Sequence, residues 1–130
     1  MEHLLNVYAA RAARGAVADF LGYADVASPR GRLSRGLWLV WAHQGDRSLA
    51  YYLRRRDCLE ALAADLGLPD EAAVPPTVAR QVFEALLGLH GAGLVHRDVK
   101  PANLVLCEAD RRFRCGGEGG GAFVAGGWLL

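Results

Sequence analysis

The stretch from Pro75 to Leu106 constrains the fold more than any other part of the chain. Pro75 and Pro76 fix two successive φ angles and remove two N–H groups, which a helix tolerates only in its first turn. Val78, Val82, Phe83, Leu86 and Leu87 then recur at helical spacing on one face, until Gly91 and Gly93 stop the helix. Leu94-Val-His-Arg-Asp-Val-Lys-Pro-Ala-Asn-Leu-Val-Leu106 follows directly, apolar at both ends and polar around Pro101. The pattern predicts a polar turn held between a long helix and a short strand at 104–106.

Upstream, Leu4, Leu5, Tyr8 and Ala12 place a helix over Glu2–Arg14, with Gly15 as its cap. Val17–Val26 and Leu37–His43 read as two strands around a loop at Ser28–Gly36. Asp46 or Ser48 can cap a short helix over Ser48–Arg55, and Cys58–Leu66 reads as a second, ended by Gly67 and Pro69. Helices and strands are both expected, and the fold class is taken as α+β. From Cys115 onward seven of sixteen residues are glycine and no periodic face remains. Residues 115–130 are therefore expected to be a separate tail without regular structure.

Composition excludes several functions. A chain of 130 residues, 52% hydrophobic and 22% charged, can bury the core of one small domain. A net charge of +1 argues against nucleic-acid or anionic-membrane binding driven by bulk charge. Arg54-Arg-Arg56 and Arg111-Arg112 have no interleaved stacking aromatics, so no nucleic-acid partner is expected. Cys58, Cys107 and Cys115 are odd in number and form no C-x-x-C pair, which disfavours a disulfide framework or a structural zinc site. The longest uncharged run, Gly119–Leu130, is too short and too glycine-rich to span a bilayer, so no transmembrane segment is expected. Lys100 is the only lysine, against fourteen arginines.

The segment His96-Arg-Asp-Val-Lys-Pro-Ala-Asn103 resembles the catalytic loop of eukaryotic-type protein kinases, H-R-D-x-x-x-x-N, and Lys-Pro after Asp-Val resembles the serine/threonine class. The resemblance implies that Asp98 accepts and orients the substrate hydroxyl, that Lys100 meets the transferred phosphate of ATP, and that Asn103 coordinates Mg2+ through its amide oxygen. It implies structural roles for His96, which packs, and Arg97, which faces a phosphorylated loop. Leu37–Leu53 resembles the strand, hinge and short helix that join the two kinase lobes. Trp41 then takes the gatekeeper position, and the backbone of Ala42, His43 and Gln44 faces the adenine edge. Trp38 and Trp41 read equally well as core aromatics. Ala18-Asp-Phe-Leu-Gly22, Trp38-Leu-Val-Trp41, Gly45-Asp-Arg47 and Ala102 resemble the chloroplast state-transition kinases. That likeness implies a chloroplast, thylakoid-associated protein acting on serine or threonine of light-harvesting or photosystem proteins.

The resemblance runs from about Glu2 to Arg114, with Arg111-Arg-Phe-Arg114 as the approach to a metal motif that does not follow. The fold expected is a partial protein-kinase domain at 1–114: the end of the N-lobe sheet, the hinge and the start of the helical C-lobe, truncated. Residues 115–130 are expected not to be kinase sequence. With Lys100 already in the catalytic loop, no lysine is left for the third-strand position that grips the α/β-phosphates. Asp65-Leu-Gly67 precedes the loop and cannot serve as the metal motif, and no glycine-rich phosphate loop stands upstream. The chain alone is expected to be inactive and of marginal stability. The alternative is an inactive kinase-like module that works through protein contacts.

Overall fold

The computed structural model of the chain describes residues 2–28, 31, 34–116 and 124–125. Helix α1 (Glu2–Ala12) leads through a short junction into the antiparallel pair β1 (Phe20–Val26) and β2 (Gly36–Trp41). Gly22, at φ +142°, marks the register shift between Phe20 and Gly22 in that pair. Both faces of the hairpin carry exposed apolar side chains, Leu21, Tyr23, Leu37 and Val40 among them.

A linker carries the chain into α2 (Leu49–Leu53), whose cap is Ser48: its Oγ accepts from the Tyr51 N–H at 3.3 Å. Helix α3 (Cys58–Leu66) has the bounds its pattern predicts and closes on Gly67 in the left-handed region, with the Leu68 N–H returning to the Ala63 carbonyl at 2.8 Å. Asp70 then caps a 3-10 turn, and α4 (Val74–Gly91) follows with its two prolines in the first turn. Strand β3 (Leu94–Val95) pairs with β6 (Val124–Ala125). Strand β4 (Leu104–Cys107) forms a hairpin with β5 (Arg112–Cys115), turned by Arg111 at φ +55°.

The core lies where α1, α2, α3 and α4 meet the β4–β5 hairpin. Tyr52, Leu62, Leu89 and Leu106 are its largest enclosed side chains, and burial of each aliphatic residue contributes roughly 1.5–3 kcal/mol. The Tyr52 and Phe113 rings meet edge to face at 6.3 Å.

Helix α4 corrects one expectation. Its enclosed stripe is Val74, Gln81, Ala85 and Leu89, with Val78 and Val82 packed beside it, whereas Phe83 is 69% and Leu87 75% exposed. At about 3.6 residues per turn Leu87 falls roughly half a turn from Val78, so Phe83 and Leu87 lie away from the stripe; on the buried side Gln81 Oε1 accepts the Phe113 N–H at 2.9 Å. Arg112–Cys115, which takes in most of the Arg111–Arg114 segment, is the second strand of the hairpin. Cys115 pairs with Leu104, so the ordered hairpin runs one residue past the boundary drawn at Arg114. Residues 117–123 and 126–130 of the expected tail lie outside the described residues. Among the described residues no helix is long and apolar enough to cross a membrane.

Candidate active site

The polar turn between β3 and β4 is fixed by its own backbone. Arg97 takes φ +60°, an uncommon conformation for a side-chain-bearing residue, and the Asp98 N–H donates back to the His96 carbonyl at 2.8 Å. Pro101 opens a one-turn 3-10 helix at Pro101–Asn103, closed by the Asn103 N–H on the Lys100 carbonyl at 2.9 Å. Asp98 and Asn103 are thereby brought to one side of the turn.

Three sequence-predicted side chains meet there. Lys100 Nζ lies 2.8 Å from Asp98 Oδ2. Asn103 Nδ2 donates to Asp98 Oδ2 at 2.8 Å and to the Asp98 carbonyl at 2.9 Å. Lys100 and then Asn103 hold the Asp98 carboxyl below the usual carboxylate range, so it is ionised at neutral pH. Asn103 is only 9% exposed, and its amide nitrogen is fully committed to Asp98. Among the described residues none donates to or occupies its Oδ1. A neutral oxygen oriented this way suits a hard cation such as Mg2+. Among the described residues no group of three His, Cys, Asp or Glu side chains converges on one point.

His96 is 2% exposed and its Nδ1 accepts from the Asp98 N–H at 3.3 Å. Burial pushes its pKa down, against the opposing pull of the Asp98 charge. A neutral imidazole accepting at Nδ1 is therefore part of the turn's framework.

The linker residues form a second, separate part of the site. Trp41 packs edge to face on Phe20 with centroids 5.5 Å apart. The Ala42 N–H donates to the Asp19 carbonyl at 2.8 Å, and the Ala42 carbonyl accepts from Gln44 Nε2 at 3.0 Å. His43 is exposed beside Asp46. The linker meets β4, the strand that leaves the polar turn. Gly45 lies against the Leu106 carbonyl, and the Leu106 N–H donates to the Arg47 carbonyl at 2.9 Å. A cavity of about 190 Å3 adjoins this junction, lined by Arg47, Asp65, Leu106 and Glu108, and another of about 350 Å3 lies between the end of α1 and α4.

Sequence reasoning missed several residues that shape the site. Arg47 joins the linker to α3 and the hairpin turn by pairing with Asp65 and Glu108, while the Tyr52 hydroxyl donates to Asp65 at 2.7 Å. Burial and Asp65 together push the Tyr52 phenol well above its ordinary range. Gly116 reaches Asn103, its N–H donating to the Asn103 carbonyl at 3.0 Å. In the sequence Gly116 is one glycine among many, and nothing separates it from its neighbours.

A long helix, a polar turn carrying Asp98, Lys100 and Asn103, a hairpin after it, and a linker to a small antiparallel sheet define part of a protein-kinase fold. No protein-family model matches the sequence. The chain is homologous to serine/threonine-protein kinase STN7, chloroplastic, of Arabidopsis thaliana, at 33% identity over 124 residues, covering 88% of this chain and 22% of that protein. Serine/threonine-protein kinase STN8, chloroplastic, of the same plant is 35% identical over 115 residues, covering 81% of this chain and 23% of the relative. Its structure superposes on the crystal structure of an Stt7 homolog from Micromonas algae soaked with ATP, with a TM-score of 0.78 and 32% identity, over 88% of this chain and 35% of that one. The chain belongs, as a partial domain, to the serine/threonine-protein kinases, and spans under a quarter of the length of these two plant relatives.

Proposed function

We propose that the whole protein transfers the γ-phosphate of ATP to a serine or threonine hydroxyl of a protein substrate, and that this chain holds its hinge and catalytic turn. The observation that carries the reading is the Asp98–Lys100–Asn103 group, in which an ammonium and an amide each bind the one carboxylate at 2.8 Å. Asp98 orients the substrate hydroxyl and accepts its proton late, since the transition state is loose and asks mainly for positioning. Lys100 leaves Asp98 for the incoming phosphate, and the backbone of Ala42–Gln44 meets adenine beside Trp41. Asn103 Oδ1 would hold Mg2+, which would neutralise charge on the phosphate oxygens.

The relatives STN7 and STN8 are chloroplast proteins by name, which supports a chloroplast location for this one. Association with thylakoids, and light-harvesting or photosystem proteins as substrates, extend the same reading.

The chain alone is inactive in this reading, because its single lysine already serves the catalytic turn. That shortage also favours a second reading, a kinase-like module acting through protein contacts. Incubating the 130-residue chain with Mg2+, γ-labelled ATP and a generic serine/threonine substrate separates the two. The expected result is nucleotide-induced NMR shifts at Asp98, Asn103 and Ala42 without transfer of label. Label transfer abolished by Asp98→Asn overturns the inactivity. The absence of any nucleotide response at these residues overturns the ATP-binding reading and leaves the interaction module.

A further inference from the structure

The junction between α1 and β1 has no role in the chemistry described so far, yet it is tied to the catalytic turn by backbone. The Ala16 and Val17 N–H groups both return to the Ala13 carbonyl, so the junction is an extension of the end of α1. It then runs parallel beside β5. The Cys115 N–H donates to the Ala16 carbonyl at 2.9 Å, and the Ala18 N–H donates to the Cys115 carbonyl at 3.1 Å. One residue further, the Arg114 side chain on the same strand holds Asp110 at 2.7 Å and reaches Asp19 at 3.6 Å.

Gly116 is the point where this strip touches Asn103. Its N–H donates to the Asn103 carbonyl at 3.0 Å. A Cβ placed on Gly116 would stand 2.8 Å from the Cβ of Ala18, inside any real carbon–carbon contact. Ala18 is itself buried, and its N–H is held by Cys115, so it cannot give way freely. Gly116 is thus confined between a packed methyl group on one side and the backbone of Asn103 on the other.

We infer that the α1–β1 junction is a positioning element for Asn103, acting through Gly116, which is seated between the Ala18 methyl and the Asn103 carbonyl. A shift of α1 against the hairpin moves Ala18, Gly116 and then the amide that Asn103 presents to a cation. The inference rests on the kinase reading for its functional meaning, while the mechanical link is independent of it.

The 15N-labelled full chain tests both. Gly116→Ala is expected to move the Asn103 side-chain amide signals without nucleotide, and to weaken Mg2+–ATP binding about tenfold, as loss of outer support for a metal donor does. Adding Ala18→Gly to that variant removes the clash and is expected to restore both readouts, which a general loosening of the fold would not allow. Unmoved Asn103 signals in folded Gly116→Ala, or no recovery in the folded double variant, overturn the inference. Should Gly116→Ala fail to fold, Ala18→Gly alone is decisive: it opens the contact from the other side, and unchanged Asn103 signals sink the coupling. A wild-type chain that ignores Mg2+–ATP counts against the kinase reading alone, since the nucleotide-free amide signals still decide the coupling.

Discussion

Asn103 binds Asp98 twice, its Nδ2 donating to both the carboxylate at 2.8 Å and the main-chain carbonyl at 2.9 Å. One amide therefore fixes the side chain and the backbone of a residue five positions earlier. Lys100 approaches the same carboxylate oxygen at 2.8 Å. Bonds within the turn itself thus hold the Lys100 and Asn103 side chains on one carboxylate.

Lys100 is the larger of the two influences on Asp98, with Asn103 second. Both favour the ionised form, so removing either raises the pKa towards the ordinary carboxylate value. A carbon-detected NMR titration of the Asp98 carboxyl is expected to show a larger rise in Lys100→Gln than in Asn103→Leu. The reverse order would make the amide, and not the ammonium, the main holder of the charge.

His96 links the turn to pH. Its folded pKa lies below the unfolded value of about 6.5, because burial disfavours the imidazolium. Below that value the unfolded chain binds more protons than the folded one, so stability is full above about pH 7 and drops as the pH falls through 6.5. Protonation at Nδ1 also removes the acceptor for the Asp98 N–H. Melting temperatures between pH 7.5 and 5 (an interval set around the reference value) are expected to fall in the wild type and to fall less in His96→Asn.

In the proposed reading, Gln44 covers the acceptor that adenine would use. Its Nε2 donates to the Ala42 carbonyl at 3.0 Å, while the Ala42 N–H is taken by Asp19. Adenine can displace the side chain but not the Asp19 contact. A hydrogen bond of this kind is worth about 0.5–1.5 kcal/mol net, so Gln44→Ala is expected to tighten ATP binding about two- to tenfold. Titration calorimetry reads the change directly; weaker binding would mean that the Gln44 amide itself contacts the nucleotide.

Much of this architecture is legible in the sequence because its punctuation is local. Ser48, Gly67, Pro75-Pro76 and Gly93 act within a few residues of themselves, and the elements they bound lie where the pattern puts them. The group at Asp98, Lys100 and Asn103 is legible for the same reason, being contained in a single turn. What the pattern misses depends on distant partners. The inward place of Gln81 is one such case, since its partner is the Phe113 N–H thirty-two residues on; the outward place of Phe83 and Leu87 follows instead from helical geometry, which sets Leu87 about half a turn from Val78. Gly116 is hidden in the same way, its neighbours Ala18 and Asn103 being remote in sequence.

Phe83 and Leu87 are exposed on α4 beside the salt-bridged Arg80 and Glu84. Replacing them with serine removes no packed contact, so the stability in urea is expected to change by no more than about 0.5 kcal/mol each. Ala85, one turn-face away and 1% exposed, is expected to behave oppositely: Ala85→Leu overfills the core and costs about 1–3 kcal/mol. Equal sensitivity at the three positions would contradict the observed orientation of α4.

Gly45 controls how the linker sits on the catalytic hairpin. Its φ is +153°, a conformation that side-chain-bearing residues rarely adopt, and a Cβ there would stand 2.4 Å from the Leu106 carbonyl oxygen. That oxygen belongs to β4, two residues past Leu104 and so three past Asn103, and it cannot swing aside as a flexible side chain would. Gly45→Ala must therefore either strain the linker or push it off β4, breaking the bond from the Leu106 N–H to the Arg47 carbonyl. Overpacking of this kind costs about 1–3 kcal/mol, enough to lower the urea midpoint measurably. Hydrogen exchange tells the two outcomes apart, because detachment exposes the Leu106 amide while strain leaves it protected. A variant as stable as the wild type, with the Leu106 amide still protected, would mean that the linker is not held against β4 at all.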